Sequence, residues 1–242
     1  KAPQCPNSTT KRPGGILLTL GRVPSAVLWF RRDLRLSDHP ALLAAIDAAG
    51  PHGTVLPVFV FDERLWGPSG DPRRRFLLDC LADLRERTGS ALVLRSGDPA
   101  RVIPQLAAEV GAGSVHVSAD TGPYGRRRDD AVASALGDVP LVRTGSPYAV
   151  TPGRVTKGDG TPFKVFSPFA RAWREHGWRA QAAHQDDVTW TTGVRSDDPP
   201  AAPRVDAELP PAGEAAALAA WHRFRDDRLS GYDEARNTPG VD

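Results

Sequence analysis

The sequence contains no methionine and only two cysteines in 242 residues. No apolar run in it approaches the roughly 20 residues that span a bilayer, so a membrane helix is excluded. Cys5 and Cys80 lie far apart, with nothing to recommend a disulfide between them, and no spacing suggests a metal site. The six histidines, at positions 39, 52, 116, 176, 184 and 222, are scattered, which argues against zinc or histidine-centred catalysis. The apolar stretch 16–20 falls short of the about 7–15 residues of a signal-peptide core, so a cytoplasmic protein is expected. Three loops are also missing: the Gly-x-Gly-x-x-Gly dinucleotide fingerprint, the Walker loop and the Gly-x-Ser-x-Gly nucleophile turn.

What is present is the composition of an ordinary folded protein, 40% hydrophobic and 25% charged. The net charge of +2 neither demands nor excludes a nucleic acid, because a local patch matters more than the total. Residues 1–22, with Pro3, Pro6, Pro13, Gly14 and Gly15, have no sustained periodicity and are expected to be a disordered extension. Strand and helix signals then alternate through residues 23–150. Apolar runs at 26–30, 54–61, 91–94, 114–118 and 140–142 predict five strands. Helices are predicted behind Asp38 and Pro40, behind Asp71 and Pro72, behind Asp98 and Pro99, and over 126–136, with Asp38 as the first N-cap. The second run is nearly continuous in Val, Leu and Phe, as in strands buried on both faces. The fold class expected is therefore α/β, a Rossmann-like, doubly wound, five-stranded parallel sheet. Cys80 sits within the Leu77, Leu81, Leu84 stripe and reads as a buried, inert thiol.

After residue 150 the pattern changes. Phe163, Phe166, Phe169 and Trp173 recur at helical spacing and predict a short helix packed on something. Residues 177–213 are punctuated by prolines and should hug a surface with little regular structure; together with 151–176 they make up a connector, 151–213. Residues 214–229 predict another helix, with Trp221 in its core.

In doubly wound sheets ligands sit beyond the carboxyl ends of the strands. Here those ends carry Arg31-Arg32-Asp33-Leu34-Arg35, then Asp62-Glu63-Arg64, then Asp120-Thr121-Gly122-Pro123-Tyr124-Gly125-Arg126. Charge, aromatics and glycine gather at one rim. Arg73 and Arg75 read equally as exposed charge or ligand contacts. Arg127 and Arg128 read as a solvated helix face.

The stretch from Trp29 to Asp38 resembles the opening signature of the DNA photolyase/cryptochrome family. The similarity continues in register through Pro57 to Asp62, Asp71 to Arg87, Gly97-Asp98-Pro99 and the Asp120 to Arg126 string. It extends to the segment from Phe163 to Phe169 with Trp173, and to Tyr232 with Arg236, Asn237 and Pro239. The resemblance covers residues 25–242. It implies an intact deoxyribodipyrimidine photolyase holding FAD in a helical domain that starts at 214–242 and splitting pyrimidine dimers in damaged DNA with light. Tyr232 would face that FAD. The α/β domain, 23–150, would hold an antenna chromophore. The loop that grips the FAD phosphates is expected after Asp242, so this segment alone is expected to be inactive, without catalytic residues. The connector is expected to dock on the helical domain and to be mobile without it.

The resemblance also ranks the antennas. The folate-binding branch has an Asn-Glu pair where this chain has Tyr124 and Gly125, which disfavours methenyl-tetrahydrofolate. The string at 120–126 is similar to the branch that binds 8-hydroxy-deazaflavin, although that branch has Glu where Gly122 stands. An 8-hydroxy-deazaflavin is therefore favoured over FMN or folate. Its contacts would be Arg32, Phe59, Phe61, Asp62, Arg74 and Asp120, with Tyr124 and Arg126 from the same string. Phe59 and Phe61 would offer apolar faces, and Arg32 and Arg74 would meet charge bidentately. A monomer without membrane contact is expected. Two alternatives stand beside this reading. One is a cryptochrome photosensor without repair activity. The other is a nucleotide-binding α/β module of the adenylyl-transfer kind, which would carry a Ser/Gly-rich or His-x-x-His loop where this chain has arginines.

Overall fold

The computed structural model describes residues 25–185 and 187–238. The extension expected at 1–22, together with Cys5 and Pro239, lies outside the described residues. Five strands, β1 (Ser25–Phe30), β2 (Thr54–Phe61), β3 (Val93–Ser96), β4 (Ser114–Val117) and β5 (Leu141–Arg143), form one sheet in the order β3-β2-β1-β4-β5. Every pairing is parallel. The predicted fold class is the observed one. The strand order reverses between β1 and β4, which opens a crevice at their carboxyl ends.

Residue alternation explains why both faces of the sheet are covered. Ala26, Leu28 and Phe30 of β1 point into one core with Leu42, Phe59, Phe61, Leu81 and Leu84. Val27 and Trp29 point into the other, with Val58, Val60, Ile103, Leu106, Val117 and Val132. Helices α1 (Pro40–Ala49) and α3 (Asp71–Arg87) lie on the first face, and α4 (Pro99–Val110) and α5 (Pro123–Ala135) on the second. Every β1 residue is buried, and the one polar side chain, Ser25, donates to the Val110 carbonyl at 3.1 Å; a polar group among 26–30 would be buried in an apolar core. Helix α4 ends as its sequence suggests: Gly111 adopts φ +60°, a left-handed conformation that glycine reaches without strain.

The start of α1 differs from expectation. Its N-cap is His39, whose Nδ1 accepts from the Leu42 N–H at 3.1 Å. Asp38 instead takes φ +49° and turns its carboxylate to the Ala182 N–H (2.8 Å) and to Arg179 (2.5 Å). Asp38 therefore ties the connector down rather than capping the helix. A one-turn helix that the sequence reading missed, α2 (Glu63–Trp66), follows β2 and is capped by Asp62.

Beyond the sheet the chain forms α6 (Phe166–His176), α7 (Glu214–Asp227), a 3₁₀ turn (Leu229–Gly231) and α8 (Tyr232–Ala235). Residues 177–213 of the connector are nearly free of regular structure, as expected, and part of this stretch runs along the sheet edge. The Val55 N–H donates to Thr189 O and the Thr191 N–H to Val55 O, both at 2.9 Å, which makes a parallel bridge. Further on, Leu94 N donates to Ser196 Oγ at 3.0 Å and Asp197 N to Leu94 O at 2.9 Å. The connector thus covers the open edge beside β2 and β3, where unpaired backbone groups would otherwise face solvent.

Two packing expectations fail. Phe166 on α6 is 78% exposed and Trp221 on α7 is 49% exposed. Phe163 meets Phe169 edge-on and Trp173 stacks on Trp178, but these contacts stay within the same segment. Periodicity reveals an apolar face without revealing what covers it. Among the described residues no helix is long and apolar enough to cross a membrane.

Candidate functional site

The crevice at the strand ends is the mouth of a cleft of about 1250 Å³, which extends along α3 to α7. Its floor is aromatic because β2 is buried up to its last residue. Phe59 and Phe61 meet edge-to-face at 5.1 Å, and Phe61 meets Trp66 of α2 in the same way at 5.2 Å. Such a wall excludes water and suits a flat ligand.

Asp62 and Tyr124 close one side. Asp62 accepts from Arg64 N–H at 3.1 Å as the α2 cap, and its other oxygen accepts the Tyr124 hydroxyl. Burial, the hydrogen bond and the Asp62 charge push the Tyr124 hydroxyl up to about 12. Tyr124 is therefore a neutral donor at any ordinary pH, and it latches the end of β2 to the start of α5.

Asp120 lies beside Tyr124, with Arg128 reaching both. Asp120 accepts from Gly122 N–H at 3.0 Å and faces Arg128 at 3.4 Å. Gly125 lies directly against it: a Cβ at that position would come within 2.1 Å of the Asp120 carboxyl carbon. No side chain fits at 125 while Asp120 keeps these partners.

Behind the wall lies a buried polar network. Arg31 binds Asp129 and the carbonyl of Ser118, and Arg128 reaches the same Asp129 oxygen at 2.9 Å. The Arg31 and Arg128 guanidinium carbons lie 4.9 and 5.1 Å from the centre of the Trp29 ring. Asp33 accepts from the Ser118 hydroxyl and pairs with His39 at 3.2 Å. Burial would raise the Asp33 carboxyl, but His39 and Ser118 outweigh it and hold it well below the usual carboxylate range. The network fixes the ends of β1 and β4 relative to each other, and so sets the width of the crevice.

Seven of the residues singled out in the sequence line this one cleft: Arg32, Phe59, Phe61, Asp62, Arg74, Asp120 and Tyr124. Arg32 is exposed there and makes no ion pair among the described residues. Arg74 differs from expectation. Its guanidinium donates to the carbonyls of Trp66 (3.0 Å) and Gly67 and lies over the Trp66 ring, so it braces the α2–α3 turn and is not free for bidentate capture of a ligand. Arg126 is exposed and outside the cleft, on the outer side of α5. Arg128 is the one turned inward, its side chain only 7% exposed. The helix-face reading of Arg128 is thus corrected: the spacing from Tyr124 is four residues, one helical turn, which was the available signal. Asp129, His39 and Ser118 had no comparable signal. Tyr232 is half-exposed, lies outside the cleft and packs edge-on against Phe224 at 5.8 Å. Cys80 is half-buried and lines the cleft, not the core, and burial pushes its thiol up, away from reactivity.

Residues 26–187 match the DNA photolyase family. The chain is 31% identical over 233 residues to the deoxyribodipyrimidine photo-lyase of Halobacterium salinarum, covering 88% of this chain and 48% of that protein. It is 43% identical over 125 residues to the cryptochrome DASH of Natronomonas pharaonis, covering 47% of this chain and 26% of that one. Among solved structures, a class III photolyase from Agrobacterium tumefaciens superposes with a TM-score of 0.78 at 29% identity, over 93% of this chain and 49% of that one. The chain spans about half the length of such relatives. With the sheet order, the rim residues and these matches in agreement, the chain belongs to the DNA photolyase family.

Proposed function

We propose that this chain is the front part of a deoxyribodipyrimidine photolyase, and that its cleft holds a planar light-harvesting antenna. Residues 23–150 form the antenna domain in this reading, 151–213 the connector, and 214–242 the start of the FAD-binding domain. The carrying observation is the cleft, whose lining brings together the aromatic pair Phe59 and Phe61, an Arg32 with no ion pair among the described residues, and the fixed polar groups Asp62, Tyr124 and Asp120. That donor set fits a flat ring system bearing negative charge. When bound, the antenna supplies light absorption, and FAD elsewhere in the intact protein supplies the electron that splits the dimer. The residues of this chain do the positioning. Phe59 and Phe61 exclude water, Tyr124 holds its proton toward Asp62, and Arg32 offers a guanidinium to the ring's charged edge.

An 8-hydroxy-deazaflavin is favoured over FMN and methenyl-tetrahydrofolate. Folate recognition in the family uses a carboxylate at the position of Gly125, and here Asp120 occupies the space that side chain would need. Tyr124 is engaged by Asp62 and is not free to recognise a pterin. Damaged DNA is the partner of the intact protein. The likeness to a cryptochrome DASH over 125 residues supports a second reading, a blue-light photosensor. Illumination of the intact protein with DNA carrying a pyrimidine dimer separates the two. Dimer loss under blue light and none in the dark supports the photolyase, and a photoreduced flavin without any repair supports the sensor.

A further inference from the structure

The cleft is larger than a three-ring chromophore requires, since pockets for small molecules are typically about 300–1,000 Å³. Its charges are also unbalanced. Seven arginines and five carboxylates line it. Every one of the carboxylates is already engaged: Asp33 by His39 and Ser118, Asp62 by Tyr124, Asp120 by Arg128, Asp38 by Arg179, and Glu214 by Arg87. Four of the arginines are engaged too. Arg31 and Arg128 share Asp129, Arg35 caps the Ser37 and Asp38 carbonyls, and Arg74 holds the α2–α3 turn. That leaves Arg32, Arg73 and Arg223, none of which has an ion pair or hydrogen bond among the described residues.

The three are not at one spot. Arg32 follows the end of β1, Arg73 stands in the first turn of α3, and Arg223 on α7. Arg73 is badly placed for helix stability, because a cation in the first turn opposes the helix dipole. From Phe76 to Cys80 and from Ala216 to Ala220 the cleft-lining residues of α3 and α7 are uncharged and mostly apolar: Phe76, Leu77 and Cys80, with Ala216, Ala217 and Ala220.

We propose that the cleft takes a chromophore with an anionic tail, a ring system joined through a flexible arm to phosphate or carboxylate groups. The arm follows the corridor between α3 and α7, and Arg73 and Arg223 receive its negative charge. This deepens the antenna reading and rests on it. It also gives α7 a role in ligand retention, since half of the tail subsite stands on that helix.

The test compares ligands that share a ring and differ in the tail. The full chain is titrated with riboflavin and FMN, and with 8-hydroxy-5-deazariboflavin and its phosphate-and-glutamate-tailed form, while fluorescence is followed. The tailed member of at least one pair is expected to bind roughly ten- to a hundredfold more tightly, the worth of one or two charge-assisted contacts. That advantage should shrink with added salt. It should collapse toward unity in Arg73→Ala/Arg223→Ala and recover in part with lysine at both positions. Arg101→Ala on α4, exposed and outside the cleft, should leave it unchanged. Advantage in the FMN pair alone assigns the subsite to phosphate, and advantage confined to the glutamate-bearing pair assigns it to carboxylates. If the rings bind and the tails add nothing, the proposal fails while the antenna reading stands. Failure of every ring compound to bind overturns both. A double variant that weakens binding to DNA while the tail advantage persists would also overturn it, by assigning the arginines to the nucleic acid.

Discussion

Residues 25–143 and residues 144–238 are built on opposite principles. The first region buries what it makes: Phe30, Leu28, Leu56, Leu84, Leu92, Ile103 and Leu106 are fully enclosed. The second makes apolar faces and leaves them bare, with Phe166, Trp178, Leu218, Trp221 and Tyr232 all well exposed. A sheet with helices on both sides is complete in itself, whereas α6 and α7 present faces that only further chain or a partner would cover. The difference teaches where stability and function divide. Stability resides in the sheet, and the second region meets it through a few polar ties and the wall of a cleft.

The largest expected effect breaks the comparison on its stable side. Phe30→Ala should destabilise the chain by about 3–5 kcal/mol in chemical denaturation, because it empties a fully packed site. Phe166→Ala should change stability by no more than about 0.5 kcal/mol, since its ring has little to lose. Equal costs would show that the two regions are not built differently.

The second prediction cuts the polar tie. Glu214, at the start of α7, accepts from Leu36 N–H (2.8 Å), from Ser37 N–H (3.0 Å) and from Arg87. Burial would raise its carboxyl, but the bonds from Ser37, Arg87 and Leu36 outweigh it and bring it down to about 2 from an ordinary 4.5. The tie is therefore complete above pH 4.5 and is lost as the pH falls toward 2. Proteolysis in the 199–213 stretch should accelerate over that window, before the sheet unfolds. Glu214→Gln should cost about 1–3 kcal/mol of α7 docking at neutral pH and remove this pH dependence. A tie equally strong at pH 2.5 and pH 7 would contradict the assignment.

Smaller effects sharpen the site. Tyr124→Phe removes the hydroxyl donor of buried Asp62 and should destabilise by about 1–2 kcal/mol. In the unmodified chain the phenol contributed by Tyr124 should ionise only near pH 12 in an absorbance titration. The smallest effect concerns the connector. The amides of Val55, Thr191 and Asp197 should exchange with solvent more slowly than those across 199–209, because only the former are bonded to their neighbours across the sheet edge. Uniform exchange along the connector would remove it from that edge.

The fold was legible because its signals are local and repeated. Near-continuous apolar runs mark β1 and β2, and Pro at the first turn marks α1, α3, α4 and α5. Strand-end position then led to Arg32, Asp62, Asp120 and Tyr124, whereas Phe59, Phe61 and Arg74 came only from the family resemblance. What escaped depends on contacts distant in sequence. The tie from Glu214 to Arg87 spans 127 residues and that from Arg31 to Asp129 spans 98, and neither leaves a periodic trace. Arg126 is favoured over Arg128 in the sequence because the family-like string ends at Arg126, and only the helix start fixes which of the two turns inward. That start is Pro123, three positions earlier than the hydrophobic pattern suggested. Asp38 lost the capping role to His39 because its carboxylate is engaged by the connector, a contact made 144 residues away.

The measurement that tests the central claim most directly is a competitive fluorescence titration of the full chain with 8-hydroxy-deazaflavin and methenyl-tetrahydrofolate. Saturable deazaflavin binding is expected, weakened in Arg32→Ala and in Asp120→Ala with the fold intact by circular dichroism, and not displaced by folate. Tight folate binding with no response to deazaflavin would contradict the account, because it would require the space beside Gly125 that Asp120 fills.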